Sequence, residues 1–65
     1  MPVKMARRIK ALRATRGWTQ QELADRAKVD QSYIALLEQG VRTPSLATLK
    51  RLARALSVPV TELLE

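Results

Sequence analysis

Apolar positions recur with helical spacing along almost the whole chain, and no stretch alternates with period two for long, so the pattern predicts an all-α fold. Met5, Ile9, Leu12 and Arg16 share one face of a helix predicted over about residues 3–15. Lys4, Arg7, Arg8 and Lys10 lie mostly off that face, and Gly17 is placed to end the helix. Thr19 and Glu22 make an S/T-x-x-E capping box, and Trp18 and Leu23 bracket the cap at the spacing of a hydrophobic staple. A second helix is therefore predicted over about 20–27, with Ala24 and Ala27 keeping one side thin enough for close approach of another helix. After Lys28, Val29 and Asp30, a third helix is predicted over about 31–39, with Asp30 as N-cap, Ile34 and Leu37 pointing inward and Gly40 as the stop.

Two short helices joined by a three-residue turn are the helix-turn-helix pattern. Beyond a loop at Val41–Pro44, Ser45 is expected to cap a fourth helix over about 46–56. Leu46, Leu49, Leu52, Ala53 and Leu56 mark its inner face, with Lys50, Arg51 and Arg54 opposite. Pro59 suits the first turn of a fifth helix, about 60–64, whose apolar residues are Val60, Leu63 and Leu64. Val58 and Leu63 are expected to complete the core.

Composition narrows the class. Ten Leu, nine Ala, no Phe and an apolar share of 46% fit a folded helical domain rather than a disordered basic tail. The length fits one domain, 1–65, whose core contributes only about 3–5 kcal/mol of net stability, so a second copy is a natural support. With neither Cys nor His there is no disulfide framework, no zinc site of the usual kind and no catalytic Cys or His. The six acids are scattered, with no Asp-rich loop to gather a cation. The expectation is a non-enzymatic binding module without metal or cofactor. No apolar run approaches the ~20 residues of a membrane span, and Met1 to Lys10 lacks a signal-like apolar core, so a soluble cytosolic protein is expected.

The chain carries 12 Lys+Arg against 6 Asp+Glu, a net charge of +6. Its distribution is uneven. Residues 1–16 hold six bases and no acid, whereas residues 17–40 pair Arg26 and Lys28 with Glu22, Asp25, Asp30 and Glu38 and are net acidic. Arg42, Lys50, Arg51 and Arg54 restore an excess of base in the last segment. The positive field thus comes from the segments flanking the helix-turn-helix, as suits a division between phosphate contacts that position and base contacts that specify.

The blocks Gln20-Gln21-Glu22-Leu23-Ala24, Val29-Asp30-Gln31-Ser32-Tyr33-Ile34, Leu37-Glu38-Gln39-Gly40, Pro44-Ser45-Leu46 and Leu49 through Val58 resemble, in order and spacing, the phage repressor and Cro-like (XRE) helix-turn-helix family. The resemblance covers about residues 6–64. It implies a compact five-helix bundle of the lambda-repressor-like type and sequence-specific binding of double-stranded operator DNA as a homodimer. Two departures stand out: Lys28 where the family prefers Gly, at a turn that needs positive φ, and Asp30 where Ser or Thr is more usual.

A helical wheel places Ser32, Ala35, Leu36 and Gln39 opposite Ile34, with Gln31 in the first turn. By resemblance Gln31, Ser32 and Leu36, with Ala35 beside them, occupy base-contacting positions. A Gln pairs bidentately with adenine N6/N7, and a Leu packs on a thymine methyl. Tyr33 is in reach of a phosphate or a groove edge, and Gln39 of the DNA backbone. Gln20, at a helix N-terminus suited to phosphate, is implied to contact the backbone and to brace the first Gln of the recognition helix. Arg42 is implied as the principal phosphate contact of the loop, with Thr43 and Ser45 as lesser ones; the charge distribution offers Lys4, Arg7 and Arg8 either as a second patch or as a solvated helix face. Arg13 and Glu38 are implied to form a partly buried salt bridge orienting the recognition helix. Val60 and Leu64 are implied at a two-fold dimer interface.

With the resemblance, these readings favour a bacterial or phage DNA-binding transcriptional regulator, cytoplasmic and nucleoid-associated, compatible with a stand-alone repressor, a restriction–modification controller or an antitoxin. A chain this short leaves no room for an effector domain, so regulation is expected from concentration, operator arrangement or another protein such as a toxin or polymerase subunit. The alternatives are a protein-interaction module that keeps the fold, for example an antitoxin sequestering a toxin, and a basic membrane-surface or RNA-binding peptide built on residues 3–16. The last conflicts with the need for the 3–16 apolar stripe in the core.

Overall fold

Four of the five helices are followed within two residues by one in the left-handed region, and these turns set the architecture. The computed structural model describes residues 2–64; Met1 and Glu65, counted above in the N-terminal and charge readings, lie outside it. Its helices are α1 (Pro2–Thr15), α2 (Gln20–Ala27), α3 (Gln31–Glu38), α4 (Leu46–Leu56) and α5 (Val60–Leu64), with no strand among the described residues. Left-handed residues follow α1 to α4 at Gly17, Lys28, Gly40 and Ser57. After each, the next N–H turns back to a carbonyl five residues earlier: Trp18 to Arg13, Val29 to Ala24, Val41 to Leu36 and Val58 to Ala53, at 3.0–3.2 Å. This is Schellman geometry, which satisfies an orphan carbonyl and plants an apolar residue just past the helix end. Trp18, Val29 and Val58 pack on the core, whereas Val41 is exposed.

The positive φ at Lys28 (61°) matches the need inferred from its place in the turn; Ser57 (59°) is a second non-Gly case that the sequence pattern does not flag. The capping box is complete: the Glu22 N–H donates to Thr19 Oγ1 at 3.1 Å and the Thr19 N–H to Glu22 Oε1 at 2.8 Å. Ser45 caps α4 through Thr48 N–H at 3.2 Å. Asp30 stands at the N-cap of α3 but its carboxylate accepts no capping bond, so its expected side-chain role is not realised.

The core is Ile9, Leu23, Ala24, Ala27, Ile34, Leu37, Leu49, Leu52, Ala53, Leu56 and Leu63, all buried. α2 packs on α3 and α4, α1 on α3 and α5, and α4 on α5. Ala24, Ala27 and Ala53 supply the small surfaces that let α2 and α4 close on each other. Leu46 departs from its assigned inner face and is 59% exposed. It is the first residue of α4, where a Cβ tilted toward the N-terminus projects past the helix end rather than onto the core. Arg16 shares the α1 stripe without being apolar: its guanidinium donates to the carbonyls of Leu12 (3.1 Å) and Leu56, closing the end of α4 against α1.

Candidate nucleic-acid interface

The turn between α2 and α3 brings four polar side chains from distant points of the sequence into one chain of hydrogen bonds. Arg13, in the last turn of α1, grips Glu38 at the end of α3 with Nε to Oε2 at 2.6 Å and Nη2 to Oε1 at 3.0 Å. Its remaining Nη1 donates to the Trp18 carbonyl at 2.7 Å, so the fork is fixed at both ends. The pair is sheltered, with side-chain exposures of 14% for Arg13 and 3% for Glu38. The hydrogen bond that Arg13 donates to Glu38, aided by the carboxylate's charge, raises the Arg13 pKa above the ordinary value against the opposing effect of burial.

Glu38 also accepts from Gln20 Nε2 at 3.1 Å, and Gln20 Oε1 accepts from Gln31 Nε2 at 2.7 Å. A carboxylate has only acceptors, so it draws the Gln20 amide nitrogen and leaves the Gln20 oxygen facing Gln31. That in turn fixes one amide hydrogen of Gln31. The second amide hydrogen and the carboxamide oxygen of this exposed side chain stay available outward.

The other residues singled out on α3 divide by exposure. Ser32 and Gln39 are exposed, while Tyr33, Ala35 and Leu36 are partly covered, so Leu36 presents only part of its side chain. α3 ends at Glu38, with Gln39 as its right-handed C-cap. Arg42 and Thr43 are exposed in the loop, and the Arg42 guanidinium lies 5.6 Å from the centre of the Tyr33 ring, within cation–π range. The Ser45 hydroxyl is already engaged with Thr48, accepting from its N–H and donating to its Oγ1 at 3.1 Å. Of the N-terminal cations, Lys4 and Arg7 are exposed, but Arg8 turns to α5, donating to the Glu62 carbonyl at 2.9 Å with the Glu62 carboxylate 3.9 Å away. Val60 packs against the core and Leu64 is 56% exposed. Sequence reasoning missed the Arg8–Glu62 contact, whose partners are 54 residues apart, and no local signal marks it.

A five-helix bundle with this turn and an exposed polar first turn on α3 defines a helix-turn-helix DNA-binding domain. A helix-turn-helix family profile matches residues 9–63, and the chain belongs to that phage-repressor and Cro-like (XRE) family of transcriptional regulators. It is 42% identical over 57 residues to the immunity repressor protein of Bacillus phage phi105, covering 88% of this chain and 40% of that protein. Among solved structures it is similar to the restriction-modification controller protein C.AhdI from Aeromonas hydrophila, with a TM-score of 0.92 and 37% identity over 95% of this chain and 94% of that one. The N-terminal DNA-binding domain of SinR from Bacillus subtilis superposes with a TM-score of 0.88 and 34% identity, covering 94% and 90% of the two chains. The chain spans about half or less of several curated relatives, including 49% of a Deinococcus deserti regulator. Among the described residues no helix is long and apolar enough to cross a membrane, and no cluster of acids could hold a metal ion.

Proposed function

We propose that the chain is a sequence-specific, double-stranded DNA-binding regulator that acts without cofactor as a homodimer on a palindromic operator in the cytoplasm. The observation that carries this reading is the hydrogen-bonded relay ending on Gln31. Its free hydrogen and oxygen form the donor–acceptor pair that adenine N7 and N6–H require in the major groove. Ser32, Ala35 and Leu36 extend the reading surface. Gln20, Tyr33, Gln39, Arg42 and Thr43 contact the DNA backbone, Arg42 most strongly because it is a full charge on an exposed loop, whereas the Ser45 hydroxyl hydrogen is spent on Thr48 and the phosphate contact expected of it is set aside.

Size supports the dimer. The described chain spans at most 24 Å, less than the roughly 34–36 Å between successive half-sites on one DNA face. One copy therefore reads one half-site, and two are needed for a full operator. Leu64, exposed at the end of α5, and the outer part of Val60 form the two-fold contact. Repressor action agrees with what the phage relative's name says of that protein.

Selection of bound duplexes from a random pool tests this directly. Enrichment of an inverted repeat with half-sites about 10 bp apart is the expected result. Enrichment of no motif, or of a single unrepeated half-site, would refute the specific dimer. A module devoted to sequestering another protein, the second reading, is distinguished by the absence of duplex binding even at low salt.

A further inference from the structure

At the end of α2 remote from Gln20, an open groove of about 500 Å³ runs between the last turn of α2 and the C-terminal half of α4. Its lining is Arg26, Ala27, Lys28, Arg51, Arg54 and Ala55. All four charged lining residues are cations, all are exposed, and none forms an ion pair among the described residues. Gathering like charges without counterions is unfavourable in the free protein and is relieved by an anion. Two of the four are held in place: Arg26 stacks on the Trp18 ring at 4.2 Å, and Arg51 donates to Thr48 Oγ1 at 3.5 Å. Lys28 adds an independent sign. It occupies a left-handed position where Gly is less strained, yet it brings a charged side chain to the groove.

We propose that this groove docks a carboxylate-rich segment of a partner protein. Ala27 and Ala55 put small side chains among cations that come from both helices, so the acids of a single flexible polypeptide segment can meet Arg26 and Lys28 on one side and Arg51 and Arg54 on the other. A duplex is a stiff cylinder that cannot bend into a recess between two helices, whereas a flexible segment can follow it. Its α2 residues begin six positions past Gln20, about 9 Å along the helix at 1.5 Å per residue, so they stand apart from the Gln20–Gln31 brace. The proposal does not depend on the operator reading, because the groove uses none of the residues assigned to contact bases or backbone, although Arg51 and Arg54 belong to the basic excess that flanks the helix-turn-helix.

The probe is a fluorescein-labelled octaglutamate peptide, titrated by anisotropy at low salt against the unmodified chain and two charge-matched variants. One is Arg51→Glu with Arg54→Glu in the groove; the other is Lys4→Glu with Arg7→Glu on α1. Circular dichroism establishes that each is folded. The groove variant is expected to lose about tenfold in peptide affinity and the α1 variant no more than about threefold, since only close charges escape screening. Equal losses would overturn the proposal in favour of a diffuse field. A loss of random-duplex binding as large as the loss of peptide binding in the groove variant would overturn it in favour of a nucleic-acid surface. Should the groove variant fail to fold, amide chemical-shift mapping on the unmodified chain decides. Peptide-induced shifts confined to residues 26–28 and 51–55 support the groove, and shifts spread along α1 exclude it.

Discussion

Gln31 donates its side-chain amide to Gln20 Oε1 at 2.7 Å, and through that bond the first turn of α3 is tied to Glu38 and Arg13. The side chain placed to read a base is thereby oriented before DNA arrives. Less side-chain freedom remains to be lost on binding, and the amide is kept from turning its donor and acceptor the wrong way round.

Replacing Gln20 by Ala removes the brace but leaves the core intact. Operator affinity should fall by roughly threefold to tenfold, the worth of one net hydrogen bond. The melting temperature should hardly move, and affinity for random duplex should change less than affinity for operator. Titrations on both duplexes, with a thermal melt, check this.

Arg13 and Glu38 predict the opposite balance. Glu38→Gln leaves the sheltered Arg13 guanidinium without its carboxylate and should destabilise the fold by on the order of 3 kcal/mol in urea unfolding. The pH dependence follows from the raised Arg13 pKa. A cation whose folded pKa exceeds its unfolded one stabilises fully below the unfolded value, and that stability is lost only as pH rises through the folded value. For Arg both lie beyond the usual range. The Arg13 contribution, measured as the stability gap between the native chain and Arg13→Met, should therefore stay level from neutral pH to about pH 10.

Lys28 and Ser57 hold left-handed backbone without being Gly. Relief of Cβ crowding gains roughly 1–2 kcal/mol, partly offset by the larger chain entropy that Gly loses on folding. Lys28→Gly should stabilise by about 0.5–1 kcal/mol in denaturant unfolding, and Ser57→Gly by a similar amount. A lower unfolding midpoint in either variant would contradict the assigned strain.

Leu64→Asp should keep the fold, because that side chain lies 56% exposed outside the core. Sedimentation should show loss of dimer, and binding to an inverted repeat should drop to the level of a single half-site.

How far the sequence reached depended on whether the deciding interaction was local. Thr19 and Glu22 announce α2 because a capping box is complete within four residues, and Gly17 and Gly40 mark their turns because glycine is the residue such backbone favours. Ser57 hides the same geometry behind an ordinary loop residue. Leu46 fits the apolar period yet is exposed, since periodicity does not register that a first helical residue points past the helix end. Asp30 has the composition of a cap without its hydrogen bond. At the interface, α3 could be laid out on a wheel. The partial covering of Ala35 and Leu36, the stacking of Arg42 near Tyr33 and the diversion of Arg8 to α5 required the packed fold.

The central claim, that the first turn of α3 reads base edges while the loop holds phosphates, is tested most directly by titrating Gln31→Ala and Arg42→Ala against the selected operator and a random duplex. Gln31→Ala should weaken operator binding by about 1–3 kcal/mol, relax preference at one base pair and spare random duplex, whereas Arg42→Ala should weaken both duplexes alike and lower the salt slope by about one. Equal losses on operator and random duplex for Gln31→Ala would contradict the account.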